Sequence, residues 1–107
     1  MAWTVETLNG RVDREIKALP KDIQADLVHI SELIETHGPR DVGMPHVRHV
    51  EGKLWEIRAS GKSGQGRGIY KTAKGKRVII LVAFHKKTRT TPRKILDLAN
   101  VRAKEAT

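Results

Sequence analysis

From Arg77 to His85 the chain reads RVIILVAFH, an unbroken apolar run closed at each end by a basic residue. A strand with one wet face alternates apolar and polar residues. A continuous run rich in Val and Ile is that of a central strand covered on both faces. Whatever the chain folds into must therefore supply a cover for each side of this segment.

The flanking sequence supplies strands and helices in a definite order. Leu54 to Ala59 alternates, which places Trp55 and Ile57 on one face and Leu54, Glu56 and Arg58 on the other. SGKSGQG reads as a Gly/Ser connector able to move or to present backbone amides. Arg67 to Ala73 is a second strand, turned by Lys74-Gly75 into the apolar run. Ahead of these, Trp3 to Leu8 reads as a short strand, and Asn9 caps a helix with Val12, Ile16 and Leu19 on one side. Pro20 interrupts, and a second helix carries Ile23, Leu27, Ile30 and Ile34 on one face until Gly38-Pro39 stops it. Arg40 to Gly52 is expected to be a loop. Thr91, as cap, and Pro92, at the first position, open a last helix with Ile95, Leu98 and Val101 inward. The expected fold is α+β: a strand, a helical hairpin, a three-stranded antiparallel meander and a C-terminal helix, in one domain over residues 1–107. The helical hairpin covers one sheet face, and the other is left for function.

Charge says which function classes to weigh. The net charge is +9, and it is unevenly placed. Residues 1–57 hold 7 Lys/Arg against 10 Asp/Glu, residues 58–107 hold 14 against 2, and no acid occurs from Arg58 to Lys94. Such a stretch points to a polyanionic partner, nucleic acid first, with an acidic protein as the competing reading. With no cysteine, thiolate metal sites, disulfides and thiol nucleophiles are excluded. No run approaches the roughly 20 apolar residues of a membrane span, and the first residues lack a signal-peptide pattern. A soluble, cytoplasmic protein is expected, without metal, small-molecule cofactor or membrane partner.

Three constellations carry chemistry. Arg58, Arg67, Lys71, Lys86, Lys87 and Arg89 can converge on one sheet region, where Arg offers a planar fork for phosphate oxygens and Lys a mobile charge. The helix start at Thr91-Pro92, with Arg93 and Lys94 in its first turn, reads equally as an anion site or as a solvated basic end. Tyr70 can stack on a base or donate a proton, and His85 can exchange protons near neutral pH; taken alone, each reads first as a packed or edge strand residue. His46 and His49, in a Gly/Pro loop without further ligands, make a poor metal site.

MPHVRHVEGKLWEIR, the strand pair after it, and AFHKKTRTTPRKILDLA resemble the phage-derived branch of HigB/RelE-type toxins of toxin–antitoxin modules. The similarity runs through essentially the whole chain. It implies a compact RelE-like toxin that enters the ribosomal decoding site, cleaves mRNA there and is held in check by a helix-turn-helix antitoxin. By position, Arg58 matches the Arg closing the W-E-x-R motif, Arg67 the Arg on the next strand, and Lys86 and Lys87 the paired lysines; Tyr70 occupies a position often aromatic. On that reading Arg58 and Arg67 stabilise the phosphorane, one of the lysines or His85 moves protons, and Tyr70 stacks or assists. Lys71, Arg89, Arg93 and Lys94 bind the RNA backbone. The resemblance leaves two rivals: a ParE-like inhibitor of DNA gyrase without catalysis, and a basic RNA-binding module.

Overall fold

The computed structural model describes residues 2–106, and the apolar run is its central element. Strand β5 (Arg77–Lys86) has a neighbour on each side. Antiparallel to it lies β4 (Gly64–Ala73), in register from Gln65 opposite Lys86 to Ala73 opposite Arg77; parallel to it lies β1 (Thr4–Thr7), from Thr4 opposite Arg77 to Thr7 opposite Ile80. The sheet continues through β3 (Leu54–Gly61) to β2 (Val47–Glu51), giving five strands in the order β1-β5-β4-β3-β2.

Between β1 and β2 come α1 (Gly10–Lys17), α2 (Lys21–His37) and the short α3 (Pro39–Val42), and after β5 comes α4 (Arg93–Ala103). Asn9 caps α1 as expected, its side-chain oxygen accepting from the amides of Arg11 and Val12 at 3.1 and 3.2 Å. None of these helices is long and apolar enough to cross a membrane.

The α+β order read from the sequence holds, and three segments differ from expectation. Arg40 to Gly52 is not all loop: it holds α3 and β2, so the antiparallel meander has four strands. SGKSGQG is not a loose connector, because both strands run through it to a tight turn between Gly61 and Gly64. A Cβ on Gly66 would sit 2.6 Å from Ile23 Cγ2, so glycine here permits the close approach of α2. In α4 the inward residues are Leu96, Ala99 and Arg102, while Leu98 and Val101 face solvent. The helix begins one residue later than expected: Pro92 is its cap position, and no side chain caps it.

Two apolar layers flank the sheet. Ile57, Ala59, Tyr70, Val78 and Ile80 pack on the hairpin residues Val12, Ile23, Leu27, Ile30 and Ile34. On the opposite face Leu54, Ile69, Ile79, Leu81 and Val82 pack on Leu96 and Ala99 of α4. That Leu81 and Val82, consecutive residues, share a face is the work of a β-bulge: Ile69 is opposite Val82 and Tyr70 opposite Ile80, so Leu81 has no partner on β4.

Beyond Ile80 the register with β1 also ends, and side chains complete the edge of β5. Glu15 Oε1 accepts from the Ala83 amide at 3.0 Å, and Arg102 Nη1 donates to the Leu81 carbonyl at 2.8 Å. The two side chains pair with each other at 2.9 to 3.0 Å, with Arg102 almost fully buried. Buried backbone groups must find partners, and here α1 and α4 provide them. Arg102→Met is expected to lower stability by on the order of 2–3 kcal/mol, because it strips the Leu81 carbonyl and Glu15 together. Thermal unfolding monitored by circular dichroism should shift down by roughly 10–20 °C; an unchanged midpoint would show the pair to be dispensable.

Candidate nucleic-acid interface

Strand parity beyond the bulge decides which basic side chains meet. Arg58 and Arg67 are direct cross-strand partners, Arg48 stands opposite Glu56, and Lys86 opposite Gln65. All lie on the face that carries α4. Without the bulge, Lys86 would share a face with Ile80 rather than with Arg67.

Arg67 is the fixed centre of this group. It is only 3% exposed, and its Nη1 and Nη2 donate to the Gly66 carbonyl at 3.0 Å and to Gln65 Oε1 at 2.8 Å. Glu56, 5% exposed, lies 3.7 Å from the Nε atoms of both Arg67 and Arg58, too far for a hydrogen bond but close enough to hold both charges. Both Nε atoms are buried and have no hydrogen-bond partner. Burial holds Arg67 below the usual guanidinium range, opposed by Glu56 and reinforced by Arg58 and Arg48. Lys86 is likewise shifted down, by burial first and by Arg67 next. Arg58, Arg67, Arg48 and Lys86 thus concentrate positive charge around a single carboxylate, that of Glu56.

The remaining sequence-stated residues are spread more widely. Lys87 and Arg89 are exposed beyond the end of β5. Lys71 is on the same face but at its far end, where its Nζ donates to the Ala106 carbonyl at 3.2 Å. Arg93 is engaged twice, with both carboxylate oxygens of Glu51 at 2.8 Å and with Asp97 at 2.9 Å, and so clamps α4 to β2. Lys94 is exposed in the first turn of α4. Tyr70 and His85 are on the other face. Tyr70 is 1% exposed in the α1–α2 core, and burial pushes its phenol pKa up; His85 Nε2 lies 3.1 Å from the Ser63 carbonyl oxygen. The structure therefore groups Arg58, Arg67 and Lys86 and separates Tyr70 and His85 from them.

Two members of the group escaped the sequence reading. Glu56 was legible, since strand alternation already set it beside Arg58, but one acid among many cations drew no attention. Arg48 was not, because its strand was read as loop. Among the described residues no three His, Asp or Glu side chains gather as metal ligands; His49 instead contacts the Gly52 carbonyl at 2.9 Å and stands edge-on to Trp55.

Comparison with known proteins gives the following. The family described as "Phage derived protein Gp49-like" matches residues 14–104. The fold is similar to that in the crystal structure of the archaeal RelE–RelB complex from Pyrococcus horikoshii OT3, with 25% identity, a TM-score of 0.60, and coverage of 84% of this chain and 100% of that one. It is also similar to the E. coli toxin RelE, in a mutant form solved in the free state, at 13% identity and a TM-score of 0.59 with both chains fully covered. The second likeness, at that identity, is one of fold. No curated protein matches the chain significantly.

The electrostatics of the cluster can be read from one amine. Lys86 should titrate with a midpoint below the ordinary 10.5 when followed by NMR of its side chain. Glu56→Gln removes a charge that raises this pKa and should move the midpoint further down, whereas Arg58→Gln should move it up. A midpoint at or above 10.5 in the parent protein would contradict this placement of Lys86.

Proposed function

The chain belongs to the phage-derived Gp49-like family, and from that premise we propose that it is the toxin of a toxin–antitoxin module, a ribosome-dependent endoribonuclease that cleaves mRNA in the cytoplasm. The observation that carries this reading is the cross-strand pair Arg58 and Arg67, with Lys86 close enough to feel both charges, on the α4 face of the sheet. The likeness to RelE in a RelE–RelB complex supports a protein antitoxin as partner; a helix-turn-helix antitoxin is the form proposed here.

RNA brings its own nucleophile. The 2′-oxygen attacks the adjacent phosphorus, the bond from phosphorus to the 5′-oxygen breaks, and a cyclic 2′,3′-phosphate and a free 5′-hydroxyl result. Arg58 and Arg67 neutralise the charge that grows on the non-bridging oxygens, a stabilisation larger in the transition state than in the ground state. Lys86, its pKa lowered by burial and by Arg67, is the donor for the departing 5′-oxygen. Glu56 keeps the two guanidinium groups at a fixed spacing and is a positioning residue. Glu56 is engaged between the two arginines, so alignment of the 2′-hydroxyl by the ribosome takes the place of a general base.

Purified protein is expected to cut messages on programmed ribosomes and to leave naked RNA largely intact. Arg58→Ala should slow cleavage by roughly 10²–10³-fold, the usual effect of losing one transition-state donor, and Lys86→Ala should slow it comparably. Vigorous cleavage of naked RNA would overturn the ribosome requirement. Full activity in both variants would overturn the site. Arrest of DNA supercoiling before translation would return the gyrase reading, and RNA binding without any cleavage the binding-module reading.

A further inference from the structure

The chain has four aromatic residues of the Phe, Trp and Tyr types, and three of them line one cleft. Trp3, Trp55 and Tyr70 meet there with His37, Arg40 and Thr72 around a space of about 480 Å³, within the range of small-ligand sites. The cleft lies on the face of the α1–α2 layer, opposite the arginine cluster. Its geometry is built rather than accidental. Trp55 and Tyr70 are direct cross-strand partners, and His49 is the partner of Trp55 on β2, so three rings form a row across three strands. His49 stands edge-on to Trp55 with ring centres 4.9 Å apart. Trp3 closes the opposite wall, its backbone amide donating to the Glu35 carbonyl at 3.1 Å. Its indole lies so close to Gly38 that a Cβ there would sit 2.8 Å from Nε1.

One feature calls for a ligand. Trp55 is 39% exposed, a large apolar surface left open at an aromatic cleft. Tyr70, 1% exposed, is part of the packed lining beside it. A planar ring meets the need of Trp55 by stacking on its indole.

The position of the cleft selects the class of ring. Arg48 opposite Glu56 and His49 opposite Trp55 are consecutive rungs of β2 and β3. The phosphate-binding cluster on one face and the aromatic row on the other thus meet at the exposed edge strand β2. Arg40 and Asp41 both line the cleft and offset each other in charge, so the aromatic rings rather than charge set what it holds. We propose that this cleft receives an unpaired nucleobase of the same single-stranded RNA whose phosphates lie against Arg48, Arg58 and Arg67, the strand passing over the β2 edge. The proposal rests on the RNA reading of the opposite face and adds to it a base-binding subsite, since phosphate contacts position a strand and stacking on aromatic side chains holds its bases.

The probe is a fluorescein-labelled single-stranded RNA octamer at low salt, followed by two signals at once. Anisotropy of the label reports binding anywhere on the protein. Tryptophan emission reports the cleft alone, because Trp3 and Trp55 are the only tryptophans and both line it. The octamer is expected to quench that emission in step with the anisotropy. Trp55→Ala should weaken octamer binding about tenfold, the usual loss of one stacked base, and Trp55→Phe, which keeps a stacking ring, should stay within about threefold of the parent. If the octamer binds, Arg58→Ala weakens it, and emission and the Trp55 variants show no effect, the cleft proposal falls while the RNA reading stands. If the octamer does not bind at all, the cleft proposal falls, and the ribosome-dependent reading stands or falls on cleavage of messages on programmed ribosomes. Quenching by an antitoxin protein but not by RNA would make the cleft a protein-docking pocket and overturn the assignment.

Discussion

The bulge at Leu81 is the constraint on which both halves of the molecule depend. An unbroken alternation along β5 would send Val78, Ile80, Val82, Phe84 and Lys86 to one face. By passing over Leu81, the strand instead delivers Val78 and Ile80 to the α1–α2 layer and Ile79, Leu81 and Val82 to α4. The central strand can then be apolar throughout and still fill two distinct cores. Just beyond, the register with β1 ends and two backbone groups of β5 leave the ladder; the Glu15–Arg102 pair supplies their partners and so joins the first helix to the last. The bulge itself sets the face from which Lys86 projects.

How far the sequence speaks for itself varies by element, for physical reasons. The helices of the hairpin are legible because their apolar residues recur at helical spacing and Asn9 and Gly38 mark ends that only a few residue types can mark. The α+β order follows from these and from the central run. Strand β2 is hidden because it is an edge strand: only Val47 of VRHVE is buried, and the other side chains are polar or half-exposed. Gly64, Gln65 and Gly66 read as a flexible connector because glycine signals both freedom and close packing, and only the position of Ile23 distinguishes them. In α4 the apolar pattern is ambiguous, since Leu98 and Val101 have the hydrophobicity but Arg102 has the hydrogen-bond partners.

The same reasoning applies to the candidate site. Composition marks the basic stretch, and alternation places Arg58 on the face of Leu54 and Glu56, where it lies. It could not separate Lys86 from His85, because that depends on where the register slips. Nor could it set Tyr70 apart from Arg67, since the face of Tyr70 follows from its cross-strand pairing with Trp55 and its packing in the α1–α2 core. Arg93 illustrates the converse. A cation at a helix start is unfavourable for the helix alone, and Glu51, on a strand the sequence did not reveal, is what accounts for it.

The acids of α2 have an effect that reaches beyond their own contacts. Asp22 and Asp26 accept the amides of Ser63 and Ser60 at 2.8 Å, so these carboxylates are anchored at the turn end of β3 and β4, on the hairpin side. Arg48, Arg58, Arg67 and Lys86 lie on the opposite side of the sheet, with Glu56 among them. At this end of the sheet, charges of opposite sign therefore stand on its two sides. Any charged surface that comes within roughly a Debye length, about 8 Å at physiological ionic strength, acts on the two in opposite senses and so favours one orientation of approach.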